Sequence, residues 1–283
     1  MRGVHTFESV EEFCLHVLES PDLESKLVPP RGPDGGRLGE ASTGKPIFID
    51  RPARADLIQI RNGSDKLPHL HELEDPHARA VCLERFANHE LMAVELFAWA
   101  LLAYPEMPAG LRRGLLHVLE EEQGHVRLYV DRLNDLGSGL GQNQLSDYFW
   151  QQVPGIRAST NGPAAFLCVM GLTLEQANLD FSLLYRDAFR RHEDELSAAA
   201  MHEVHLDEIG HVRLAARWLT KVTNAERDVD AYAEHVPYPL SAARAKGRRF
   251  DVAARRRAGL SEDFIDYVRH ARPYRKTDPS ATR

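Results

Sequence analysis

The chain has 283 residues, 43% apolar and 27% charged, with a formal net charge of −7, a profile of a folded globular protein that excludes disordered and fibrous classes. Its longest apolar run, LFAWALLAY from Leu96 to Tyr104, is far short of the roughly 20 residues that span a bilayer, and no N-terminal stretch joins basic residues to a continuous apolar core, so no membrane partner and a cytoplasmic location are expected. Cys14, Cys82 and Cys168 are widely separated, without C-x-x-C spacing, which indicates neither a disulfide framework nor a cysteine-bound zinc.

Taken in chain order, TFESVEEFCLHVLES (Thr6 to Ser20) spaces Val10, Phe13, Val17 and Leu18 as one apolar helix face. A Gly- and Pro-rich connection follows from Val28 to Pro46, and residues 47–73, with FIDRPARADLIQI, are too broken by proline for a regular strand and are expected as extended chain over the surface. From Asp75 onward, four segments have helix-length apolar periodicity: Pro76 to Ala103, Ala109 to Leu136, Pro163 to Arg190 and Glu193 to Val222. They pair as two hairpins, turning at YPEMP (Tyr104 to Pro108) and FRRHED (Phe189 to Asp194), with a longer connection from Gly137 to Gly162 that carries Tyr148, Phe149 and Trp150. Four helices with one long crossover predict an all-α, ferritin-like four-helix bundle over residues 75–222, covered by an N-terminal segment (1–74) and a C-terminal extension (223–283). From Leu240 to Arg283 twelve Lys/Arg face five Asp/Glu. That basic segment mixes charge with apolar residues in RRRAGL and FIDYV, so it is expected to fold back on the helical body and not to act as a free nucleic-acid arm.

The pentapeptide GHVRL occurs twice, at Gly124 to Leu128 and Gly210 to Leu214, each time with a glutamate three places before the histidine. Residues three apart on a helix are about 60° apart around the axis and about 4.5 Å apart along it, so Glu122 with His125, and Glu208 with His211, can each converge on one ion. A lone Glu-x-x-His is common on any helix face. Here each pair has a partner carboxylate in the preceding helix: Glu90 lies 32 residues before Glu122, and Glu175 lies 33 before Glu208. In the first hairpin Glu90 and Glu122 are equidistant from Glu106 in the turn, and the midpoint of Glu175 and Glu208 likewise falls within the second turn. Four glutamates and two histidines on this pattern are the donor set of di-iron and di-manganese carboxylate proteins, and two iron ions are the expected cofactor, with manganese or zinc as substitutes.

Around these six, Glu121 and Asp207 precede the ligand glutamates and are placed to accept a hydrogen bond from the far nitrogen of a ligand histidine. Glu95 and Asp180 repeat five residues after Glu90 and Glu175, about 140° round the helix, and are expected in a second polar layer level with His117 and Glu203, with structural hydrogen bonding as their use. His205, three before Glu208, is an outer polar partner, and Tyr129, one turn after His125, is a candidate redox or gating group.

Six blocks, PDLESKL, ANHELMAVEL, EEQGHV, LEQANLD, DEIGHV and RRRAGLSEDF, carry a resemblance to the ferritin-like proteins catalogued as domain of unknown function family 455, which are similar to the tRNA-modifying hydroxylase MiaE. The resemblance implies iron on Glu90, Glu122, His125, Glu175, Glu208 and His211. The expected activity is that of a non-haem di-iron oxidoreductase that activates dioxygen to oxidise or hydroxylate an organic substrate, a small molecule or modified RNA, supplied with electrons by a donor and working as a homodimer. The alternative reading is a ferroxidase or peroxide scavenger on the same ligands.

Overall fold

The computed structural model describes residues 5–39, 44–63 and 66–273. It is mostly helical, and no helix among the described residues is long and apolar enough to cross a membrane. The chain divides into two compact units, the first ending at Gln151 and the second beginning at Gln152. The expected three-part division at 74 and 222 therefore cuts the chain differently: each terminal segment packs on its own hairpin and belongs to that hairpin's unit.

In the first unit, α1 (Val10–Glu19) is capped by Ser9, whose hydroxyl accepts from the Glu12 backbone N–H, and buries Val10, Phe13, Val17 and Leu18 against the long helix α3. The short α2 (Leu23–Lys26) follows. α3 (Pro76–Ala103) starts with Asp75 as N-cap and Pro76 at its first position, and α4 (Ala109–Asp135) returns against it. Residues 47–73 do not simply lie over the surface. Arg54, Ile58, Ile60 and Leu73 are buried, and β1 (Ile60–Arg61) pairs in parallel with β2 (Leu145–Ser146) after α4. The reason lies on α3, where Glu84, Asn88 and Glu95 fall within about 40° of one another around the axis. Glu84 accepts from the backbone N–H groups of Gly141 and Asn143, Asn88 donates to the Ser146 carbonyl, and Glu95 binds Arg54. Buried polar groups require such partners, so this stripe dictates where the covering chain must lie.

In the second unit, α5 (Val153–Ala158) leads to α6 (Gly162–Val169), capped by Asn161. The expected continuous helix from Pro163 to Arg190 is interrupted: Met170–Glu175 forms a π-helical turn before α7 (Gln176–Arg191). Thr173 Oγ1 donates to the Cys168 carbonyl and meets Tyr232 Oη, both at 2.7 Å, a side-chain insertion that loosens the ordinary ladder. Gly171 lies in this turn, where an added Cβ would overlap that of Ala215. α8 (Glu195–Thr223), capped by Asp194, packs along α7 and α6. The C-terminal segment supplies α9 (Asp228–His235), α10 (Val252–Arg257) and α11 (Glu262–His270). α9 and α10 contact α8, and α10 also reaches α7. Residues 274–283, the end of the expected basic tail, lie outside the described residues.

Candidate metal centre

Each unit gathers one set of donor side chains. In the first, Glu90 from α3 and Glu122 and His125 from α4 are all but fully buried, at 3%, 0% and 2% exposure. Their ligand atoms lie within 4.8 Å of one another. His125 Nδ1 is 3.1 Å from Glu122 Oε2, so the nitrogen facing the carboxylates is Nδ1. In the second unit, Glu175 at the end of the π turn and Glu208 and His211 on α8 are buried at 4%, 0% and 3%, again with ligand atoms within 4.8 Å. His211 Nδ1 lies 3.5 Å from Glu208 Oε2 and 3.7 Å from Glu175 Oε2. The same imidazole nitrogen is presented in both units.

These donors fit a divalent cation. Two ionised carboxylates and one neutral imidazole carry −2 per unit, and carboxylates that converge in a buried space repel unless a positive charge stands between them. Glu208 Oε2 is buried without a hydrogen bond, an acceptor that a cation would satisfy. Oxygen and imidazole donors suit iron, manganese and zinc alike.

Glu95 and Asp180 take up the expected structural hydrogen bonding, but with arginines in place of the level partners His117 and Glu203. The 140° offset turns them from the ligand face onto the face that the flanking segments cover. Arg54 grips Glu95 through two parallel bonds, Nε to Oε1 at 2.8 Å and Nη2 to Oε2 at 2.9 Å, while Lys26 Nζ stands 3.1 Å from Oε1 and Trp150 Nε1 donates to Oε2 at 3.0 Å. In the second unit Arg255 also forks onto Asp180, but end-on through Nη1 and Nη2 at 2.7 and 2.9 Å, and the Gly247 and Asp251 backbone N–H groups donate to the same carboxylate. Burial pushes the Glu95 carboxyl up, but Arg54 and Lys26 outweigh it and hold the group below its ordinary range. Lys26 is itself pushed down, because burial penalises its charge and Glu95, already matched by Arg54, compensates only part of that. The expected level partners play no such role: His117 is half-exposed and lies 3.4 Å from Glu121, and Glu203 is exposed.

Of the remaining candidates, Glu121 lies partly exposed beside His117 and Asp207 is half-buried. Tyr129 is fully buried with its ring stacked on Phe86, centroids 5.8 Å apart. His205 is buried and meets Ser182 Oγ at 3.1 Å, and desolvation pushes its imidazole below the ordinary value. One residue that the spacing argument passed over touches a ligand: Asn178 Nδ2 donates to Glu208 Oε1 at 2.5 Å. Its position, three residues after Glu175, is the signal that would have found it.

The family model described as "Protein of unknown function (DUF455)" matches residues 26–266, and the chain belongs to that family. No curated protein matches the chain, and no solved structure does.

Proposed function

We propose that this DUF455 member binds two metal ions, one on Glu90, Glu122 and His125 and one on Glu175, Glu208 and His211. On this reading it is a di-iron oxidoreductase that activates dioxygen to oxidise or hydroxylate an organic substrate. The observation that carries the proposal is the pair of buried Glu–Glu–His sets, each with ligand atoms within 4.8 Å. Burying so many carboxylates without matching cations would cost several kcal/mol. The sequence symmetry between the hairpins supports the remaining step, that the four long helices form one ferritin-like bundle in which the two ions share a centre.

Ferrous ions, when bound there, would supply the electrons that reduce dioxygen. The chain's part is to bind and to exclude water. The carboxylates set the charge, His125 and His211 offer Nδ1, and the buried Phe86, Ala93, Phe97 and Leu101 make the first ligand helix dry. The phenol Oη of Tyr129, on the turn beyond His125, is the candidate for holding a proton there. Among the described residues of the basic segment, Arg249, Arg255 and Arg256 are engaged by Asp187, Asp180 and Glu262. That favours a small-molecule substrate over modified RNA.

Ferrous iron titrated into the apo-protein under air separates this reading from the ferroxidase alternative. Ferric absorbance and oxygen uptake should level off near two irons per chain, with further uptake only when organic substrate and electrons are added. Continued oxidation of tens of irons per chain to a mineral would reject the oxygenase reading in favour of iron handling.

A further inference from the structure

Glu90 and Glu175 hold matching places in the sequence repeat, but the helices that carry them are built differently. Glu90 lies inside the unbroken α3, where the ordinary backbone ladder sets its direction. Glu175 is the last residue of the π-helical turn Met170–Glu175, whose bonds reach one residue further than those of an α-helix. Winding that turn up as α-helix would leave one residue over, about 100° of rotation between its two sides. Both sides are held: α6 packs on α8, and α7 is pinned by the Arg255 fork on Asp180, five residues past Glu175. The direction of the Glu175 carboxylate therefore depends on what keeps the turn wide.

A helical threonine ordinarily donates to the carbonyl three or four residues back. Thr173 Oγ1 donates instead to the Cys168 carbonyl, five back, at 2.7 Å. Its single proton is spent there, so in the second contact, 2.7 Å to Tyr232 Oη, the phenol is the donor. Tyr232 comes from α9 in the C-terminal segment and is fully buried. Its ring lies against Phe264 and Tyr267 of α11, with centroids 5.1 and 6.3 Å away. Neighbouring rings thus fix where the phenol oxygen stands, and that oxygen holds the Thr173 hydroxyl in its unusual direction.

We infer that Tyr232 is a positioning residue: through Thr173 it keeps the turn before Glu175 wide and so holds that carboxylate toward Glu208 and His211, whose ligand atoms lie within 4.8 Å of its own. The inference rests on the proposed metal binding and makes the C-terminal segment a part of what that binding requires. Outer partners of ligands change metal affinity by about 10–100-fold, and a support that acts through the backbone belongs at the lower end.

The test is an anaerobic titration of the full-length apo-protein with cobalt(II), followed by calorimetry and by visible absorption, with helicity checked by circular dichroism. Tyr232→Phe deletes one oxygen and keeps the ring contacts. It should weaken cobalt binding about tenfold and alter the visible bands that report ligand geometry. Thr173→Val should do the same, Thr173→Ser should stay near wild type because the hydroxyl is kept, and the double variant Thr173→Val, Tyr232→Phe should be no weaker than Thr173→Val alone. A merely structural role would lower the metal-free unfolding midpoint and leave the affinity and bands of the folded protein as they were. Wild-type cobalt binding in folded Tyr232→Phe, or a Thr173→Ser as weak as Thr173→Val, would overturn the inference and leave metal binding standing. A wild type that binds no cobalt would overturn both.

Discussion

The two units meet the same electrostatic problem twice and solve half of it differently. Glu90, Glu122, His125 and Glu95 in the first are answered by Glu175, Glu208, His211 and Asp180 in the second, and all eight are buried. The carboxylates off the ligand face are each neutralised by a forked arginine, but Arg54 arrives from before its hairpin and Arg255 from after it. Around these fixed points the halves diverge. Phe86 stacks on Tyr129 in the first, whereas the corresponding Gly171 and Ala215 close together in the second. Ala93, Phe97 and Leu119 give way to Asn178, Ser182 and His205. Residue identity is kept where burial demands an opposite charge and released where packing has several solutions.

The largest effect that would sharpen this comparison is loss of a ligand. Glu122→Ala and Glu208→Ala should each weaken metal binding by more than about a hundredfold, beyond the loss of an outer partner, as measured by metal content after gel filtration. Retention of both ions in either variant would break the equivalence of the halves. Next come the off-face carboxylates in metal-free protein. Glu95→Gln leaves two buried cations, Arg54 and Lys26, without their counter-charge and should cost about 3–5 kcal/mol in urea denaturation. Asp180→Asn should cost less, about 2–3 kcal/mol, since it leaves only Arg255 without one. Equal losses would mean that Lys26 contributes nothing. Gly171→Ala, which forces a methyl against Ala215, should cost about 1–3 kcal/mol, while Gly124→Ala, on α4 with open space around it, should be neutral or slightly stabilising.

The smallest effect is on acid stability. The folded-state pKa of Glu95 is depressed, so its contribution is fully present above the unfolded carboxyl value of about 4.3 and is lost as pH falls through the folded value. Glu95→Gln should flatten the dependence of unfolding free energy on pH below about 4.3. An unchanged slope would show that the pair does not set the acid response.

Much of this was legible in the residues. The 3.6-residue apolar period, the Asp75–Pro76 start and the YPEMP turn gave the long helices to within a residue or two, and the doubled Glu-x-x-His gave two donor sets, each with ligand atoms within 4.8 Å of one another. Three things were not legible. The π turn before Glu175 depends on Thr173 reaching Cys168 and Tyr232, and neither partner is visible to local periodicity. The arginines of Glu95 and Asp180 lie 41 and 75 residues away in sequence, and long-range ion pairs leave no spacing to read. Arg54 sits in a proline-broken stretch that local chemistry marks as surface loop, and only the polar stripe on α3 explains its burial.

Metal binding at these six residues is tested most directly by anomalous diffraction from iron-loaded crystals, measured on either side of the iron absorption edge. Two peaks per chain are predicted, one among Glu90, Glu122 and His125 and one among Glu175, Glu208 and His211. A single peak elsewhere, or none at these side chains in protein shown to contain iron, would contradict it.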